Sequence, residues 1–148
     1  MRCAPALGLA MPLALVAAGG VCAEDPGAAL FEQHCVVCHQ KQGEGAPGLA
    51  PRLANNLTEH AKNESGRAYL AQLVVSGMMG PIVSGGEPFN SAMPTFVALS
   101  DEEIVAVVGY VLGELNGVPA EQRVTQQDVA AARQRALPPH EVRRMRGK

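Results

Sequence analysis

The run Cys35-Val36-Val37-Cys38-His39 constrains this chain more than any other feature, because it commits the fold to enclosing something that is not protein. A C-x-x-C-H run is the pattern of covalent c-type haem attachment. Two thiols three positions apart lie on one turn of backbone, where each reaches one of the two haem vinyl groups. The next residue, His39, then falls under the iron as proximal ligand through an imidazole nitrogen.

Other uses of the same residues fit less well. A zinc site wants four ligands, and the remaining cysteines, Cys3 and Cys22, fall near the start of the chain. A redox dithiol would want a βαβ context, and nothing before Cys35 reads as a strand. A plain Cys35–Cys38 disulfide makes little use of His39. The chain has no Trp, two Tyr and three Phe among 148 residues. That is a thin aromatic supply for a core, and a buried porphyrin helps to fill it. The length suits one domain.

Residues 1–23 read as a signal peptide. Arg2 supplies the positive start, Leu7 to Val16 is apolar, and Val21-Cys22-Ala23 suits cleavage after Ala23. The alternative is a retained membrane anchor, although Pro5, Gly8, Pro12, Gly19 and Gly20 interrupt the stretch. Cleavage leaves Cys35 and Cys38 as the mature cysteines, both taken by haem in an oxidising compartment. The expected location is the periplasm.

Charge is uneven. Residues 24–115 carry eleven Asp/Glu and four Lys/Arg, whereas residues 116–148 carry three Asp/Glu and seven Lys/Arg. An acidic body with a basic end is either an ordinary solvated surface or a field that orients docking to a redox partner. Nucleic-acid binding does not fit an exported acidic haem domain.

Along the chain, residues 26–34 predict a short helix leading into the haem motif, with Gly27, Leu30 and Phe31 on one face. Residues 40–53 hold Gly43, Gly45, Pro47, Gly48 and Pro51 and form a loop. Residues 67–76 predict a helix with Tyr69, Leu70, Leu73 and Val74 apolar, and it stops at Gly77. Residues 77–96 are again rich in Gly and Pro. Ser100-Asp101-Glu102-Glu103 is a capping box, and Ile104, Val107, Val108, Val111, Leu112 and Leu115 continue a helical stripe to Asn116-Gly117. A last helix is expected from Thr125 to about Ala136, followed from Pro138 by a mobile basic tail. The motif occurs once and no repeat is visible, so one haem is expected.

The iron's sixth ligand has several candidates: Met78, Met79, Met93, Met145, His60 and His140. Met93 is preferred. Pro94 biases it toward an extended conformation, which lets its thioether project from a loop across the porphyrin. A soft, neutral thioether favours reduced iron. The competing reading of any Met is a core filler.

Taken together, these residues resemble the class I cytochrome c family, over about residues 26–116. Gly27 and Phe31 are similar to the family's first helix, Cys35, Cys38 and His39 to its haem motif, and Met93-Pro94 with Phe96 to its distal loop. Leu99-Ser100-Asp101 to Tyr110 is similar to its final helix. The resemblance implies an all-α, small cytochrome c fold of helices and Gly/Pro-rich loops around one covalent haem c. It implies that Pro51 accepts a hydrogen bond from the proximal His39, and that Gly27 lets the first and last helices cross closely with Tyr110 in the crossing. Arg52 meets a haem propionate or stands in solvent. Domain boundaries are then 1–23 signal peptide, 24–116 cytochrome c domain and 117–148 C-terminal helix with a mobile tail, the last being either a packing extension or a docking arm. The implied function is a non-enzymatic electron carrier with His39 and Met93 as axial ligands. Its partners would be redox proteins: a dehydrogenase, a quinol-oxidising complex or a terminal oxidase. A dedicated haem subunit of an oxidoreductase is the alternative, with a gas-binding or peroxidatic protein of labile sixth ligand behind it.

Overall fold

The structure is a computed structural model that describes residues 25–146. The expected signal peptide at residues 1–23, with Arg2, Cys3 and Cys22, lies outside the described residues. Among the described residues no helix is long and apolar enough to cross a membrane.

The chain opens with α1, Pro26–His34, and the short α2, Val36–His39. Pro26 sits at the first helical position, where its missing N–H does no harm. The Asp25 carboxylate caps the helix by accepting from the Gly27 N–H at 2.8 Å. The one-turn α3, Thr58–Ala61, then precedes α4, Glu64–Ser76. Asn63 starts α4 by accepting from the Gly66 N–H at 2.8 Å. The helix therefore begins one turn before the expected Arg67. Its apolar stripe is silent over Glu64-Ser65-Gly66, and the side-chain cap decides the start.

A small antiparallel hairpin follows, β1 Ile82–Ser84 and β2 Glu87–Phe89, in register Ile82 with Phe89 and Ser84 with Glu87. Sequence periodicity read this stretch as loop. Three-residue strands carry too little alternation to register, and Gly85-Gly86, both at positive φ, make the turn. The next helix is α5, Asp101–Gly113, with the capping box at Ser100 and Glu103 in place.

Helices α1 and α5 pack backbone against backbone. A Cβ built on Gly27 would lie 2.3 Å from the Ala106 carbonyl oxygen and 2.8 Å from the Tyr110 Cβ. Only a residue without a side chain permits that approach. Phe31 and Tyr110 pack beside it with ring centroids 5.5 Å apart. The end of α5 is tied by Asn116, which is buried. Its side-chain oxygen accepts from the Asn56 and Leu57 N–H groups, each at 2.9 Å, and its Nδ2 donates to Val111 O at 2.8 Å. Asn116 thus closes α5 and anchors the 54–58 turn together, well beyond the helix-stop role its Asn-Gly context predicts.

The C-terminal segment is more ordered than expected. Helix α6, Gln126–Arg135, is capped by Thr125 and Asp128. It docks on α4 through the buried Gln72, whose Nε2 donates to Ala132 O at 3.1 Å and whose Oε1 accepts from Arg135 Nε at 2.9 Å. Arg133 pairs with Asp101 at 2.6 Å. The mobile tail expected from Pro138 is corrected: Pro139–Met145 forms α7, and Val142 is fully buried. Pro138-Pro139 suggested an unstructured end. Instead Pro139 occupies the first turn of a helix, where proline is tolerated. A single buried valine among polar residues left no readable stripe.

Gly27→Ala tests the crossing. By helix propensity alone, alanine should stabilise α1 by about 1 kcal/mol. The clash with the Ala106 carbonyl reverses the sign, and a net loss of about 1–3 kcal/mol is expected in urea unfolding of the haem-loaded protein.

Candidate functional site

One large apolar cavity runs between α2, α4, α5 and the 77–96 segment, and Cys35, Cys38 and His39 line one part of it. It encloses about 1380 Å³ of space not filled by protein, solvent mouth included. Leu70, Leu73, Val74, Val107, Val111 and Leu112 supply much of its wall. These are the residues that the helical stripes of α4 and α5 turn inward.

Cys35 and Cys38 are half-buried and not joined to one another. Burial, with the neighbouring Cys38 adding to it, pushes the Cys35 thiol up to about 11, so it stays protonated at neutral pH. Among the described residues no cluster of three His, Cys, Asp or Glu side chains is arranged for a bare metal ion. The zinc alternative therefore lacks a donor set there.

His39 is buried, and its Nδ1 donates to the Pro51 carbonyl at 2.9 Å. A carbonyl only accepts, so Nδ1 carries the proton and the ring's free lone pair is on Nε2. Burial lowers the His39 pKa, partly opposed by the Pro51 hydrogen bond, so the ring is neutral. Pro51 is placed by the Gly-rich loop. Gly45 N–H donates to His39 O at 2.9 Å, and the Leu53 and Ala54 N–H groups donate to Gly43 O.

Met93 is half-buried and lines the cavity from the 77–96 segment. Its backbone is fixed by a two-bond bridge to Met78, with N–H to carbonyl distances of 2.8 and 3.0 Å. Gly77 makes this possible. It stops α4 at φ 71°, and a Cβ there would lie 2.5 Å from Met93 O. Beyond Pro94 the segment stays pinned to α4: Thr95 Oγ1 donates to Val75 O at 2.6 Å and Phe96 N–H to Val74 O at 3.0 Å.

The other candidate sixth ligands separate clearly. Met78 lines the cavity, but its sulfur accepts from the Tyr69 hydroxyl at 3.7 Å. Met79 is half exposed, and neither it nor Met145 and His140 lines the cavity. His60 lies outside it too, against the Tyr69 ring at 5.2 Å. Arg52 is exposed and stands where the cavity meets a second, polar cleft lined also by Glu44 and Glu87. Tyr69, read from sequence only as part of an apolar stripe, turns its hydroxyl to the cavity wall. Arg146, read as tail, lines that wall as well.

Two free thiols, an imidazole with one lone pair, a thioether held on a separate segment and a large apolar pocket suit a flat macrocycle carrying a metal. The comparisons agree. Residues 24–113 match the cytochrome c family. The chain is 34% identical over 134 residues to a cytochrome c-552 from Thermus thermophilus, covering 88% of this chain and 90% of that protein. A second Thermus thermophilus cytochrome c-552 is 35% identical over 119 residues, covering 78% of this chain and 90% of that protein. The cytochrome c subunit of the quinone-type alcohol dehydrogenase of Gluconacetobacter polyoxogenes is 30% identical over 122 residues. That match covers 82% of this chain but 25% of the subunit. The fold and cavity define a haem protein of the all-α kind, and the chain belongs to the cytochrome c family. It carries covalent c-type haem, with Cys35 and Cys38 in the attachment arrangement.

The seat of His60 has a consequence for stability. Burial first, and the Arg146 charge second, lower its pKa from 6.5. Below about pH 6.5 the unfolded chain therefore takes up a proton that the folded protein declines. Stability from this group is full above that pH and is lost as pH falls through the folded value. The drop in urea midpoint between pH 7 and pH 5 should be smaller in His60→Gln than in the wild type.

Proposed function

We propose that this protein is an electron carrier whose haem iron is held between His39 and Met93. The observation that carries the reading is the pairing of two prepared donors on one cavity. His39 is locked by Pro51 in the tautomer that frees Nε2, and Met93 is locked by its bridge to Met78. When bound, the haem supplies a one-electron iron couple. The chain's residues do the rest. Cys35 and Cys38 would hold the group, each by addition of its S–H across one vinyl double bond, which needs no oxidant. His39 stays neutral because it is buried, and its Nδ1–H bond to the Pro51 carbonyl keeps the ring directed. Met93 offers a soft, uncharged sulfur that favours the reduced state. The apolar wall excludes water and keeps the local dielectric low. Arg52, at the mouth, is suited to a propionate.

In this reading the protein changes no bonds in a substrate. It receives electrons from a dehydrogenase or a quinol-oxidising complex and passes them toward a terminal oxidase or another redox protein. The acidic body and basic C-terminal segment supply fields for such docking. It works in the periplasm after loss of residues 1–23, and touches a membrane only where that leader is retained. The similarity to an alcohol dehydrogenase cytochrome subunit favours a second reading, a dedicated subunit of an oxidoreductase, with the same residue chemistry. A carrier leaves cells as a free protein of about its own mass on gel filtration, whereas a subunit leaves with its complex.

The ferric absorption spectrum tests the ligand pair. The wild type should show the weak sulfur-to-iron charge-transfer band. Met93→Ala should lose it and Met78→Ala should keep it. A wild type that lacks the band and binds carbon monoxide readily would overturn Met93 as ligand.

A further inference from the structure

The C-terminal extension reaches the haem cavity. Residues beyond Gly113 fall outside the family match, yet Arg146, at the end of α7, is half-buried and lines the cavity wall. Its NH1 donates to the Tyr69 hydroxyl at 3.4 Å and its NH2 to Val83 O in the hairpin at 3.3 Å. With its acceptor role taken by Arg146, the Tyr69 hydroxyl donates onward to the Met78 sulfur, and Met78 bridges to Met93. Burial raises the Tyr69 pKa, opposed by the Arg146 charge and hydrogen bond, so the phenol remains neutral and able to donate. The seat is built by the whole of α7. Val142 is fully buried, Pro139 O accepts from the Met79 N–H at 3.1 Å, and Arg143 NH1 donates to Pro81 O at 3.3 Å.

Two features separate Arg146 from a helix-docking residue. Among the described residues, the ion pairs join Lys41 to Glu32, Lys62 to Glu59 and Arg133 to Asp101, His140 lies near Glu141, and none of these includes Arg146. Its partners among the described residues are a phenol and a carbonyl, neither of which is an anion. That charge also stands on an apolar wall, where Coulomb effects are screened less than at the surface. A fixed cation beside a redox centre disfavours the more positive, oxidised state.

We propose that Arg146 is a positioning residue for the haem site, contributed by the C-terminal extension. Its guanidinium orients the Tyr69 hydroxyl onto Met78, and its positive charge on the cavity wall raises the tendency of the site to be reduced. The proposal rests on haem occupying this cavity and not on Met93 being an iron ligand.

The test uses the full-length, haem-loaded protein and three variants. Reduction is read against a reference dye of known potential, and His60 titration is read by NMR. In Arg146→Gln the reduction equilibrium should shift roughly three- to tenfold toward the oxidised form, the scale of one partly screened charge. His60 should titrate at higher pH, because Arg146 is one cause of its lowered pKa. Arg146→Lys should restore most of the equilibrium, since it keeps the charge. Arg143→Gln, which weakens the same helix without removing a charge from the cavity, should leave both readings near wild type. An Arg146→Gln protein with an unchanged equilibrium overturns the proposal. So does an equal shift in Arg143→Gln, which reduces the effect to helix docking, and so does a lysine variant that restores nothing. Loss of the charge-transfer band from the wild type would bear on Met93 and leave these comparisons standing.

Discussion

The crossing of α1 and α5 at Gly27 is the contact on which the cavity depends. Helix α1 leads directly to Cys35 and within five residues to His39, and α5 supplies Val107, Val108, Val111 and Leu112 to the wall. If these helices stood further apart, the thiols and the imidazole would sit on one body and the wall on another. Backbone-to-backbone approach at a glycine sets that spacing with no adjustable side chain between them. Asn116 then fixes the C-terminal end of α5 to the turn that follows the Pro51 loop, so the helix is tied to the haem-binding segments along its length and at its end.

The two candidate axial donors are secured by different devices. His39 is held from behind by one hydrogen bond from a side chain to a loop carbonyl. Met93 has a flexible side chain, so the order is imposed on its backbone, by the Met78 bridge and by Thr95 and Phe96 bonding back to α4. Both arrangements place the ordering interaction next to the donor and not on it. This leaves Nε2 and the thioether sulfur free for a metal.

Much of the site was legible because its signals are local. Thiols and imidazole must be adjacent to act on one macrocycle, so the C-x-x-C-H run is contiguous. Capping boxes at Ser100 and Thr125 close within four residues, and the α5 stripe repeats within its own helix. The Pro51 assignment came through family resemblance. The residues that escaped are those whose meaning is long-range. Tyr69 reads as any apolar helix residue until Arg146, 77 positions away, is brought to its hydroxyl. Gln72 carries no local signal, and its role exists only once α6 covers it. The hairpin and α7 are too short for periodicity to report, and each is made by what it packs against.

By itself, the sequence determined the cofactor class, the attachment motif and the helical frame, and it named the candidate distal donors. All of these follow from chemistry or periodicity confined to a few neighbouring residues. Tertiary structure decided which candidate donors share the cavity, leaving Met78 and Met93 on its wall and His60, Met79, Met145 and His140 off it. It also decided that the C-terminal segment is a packed part of the protein with a charge on the cavity wall. Those outcomes depend on distances between segments far apart in the chain, and such distances exist only once burial of the helix faces has set the packing.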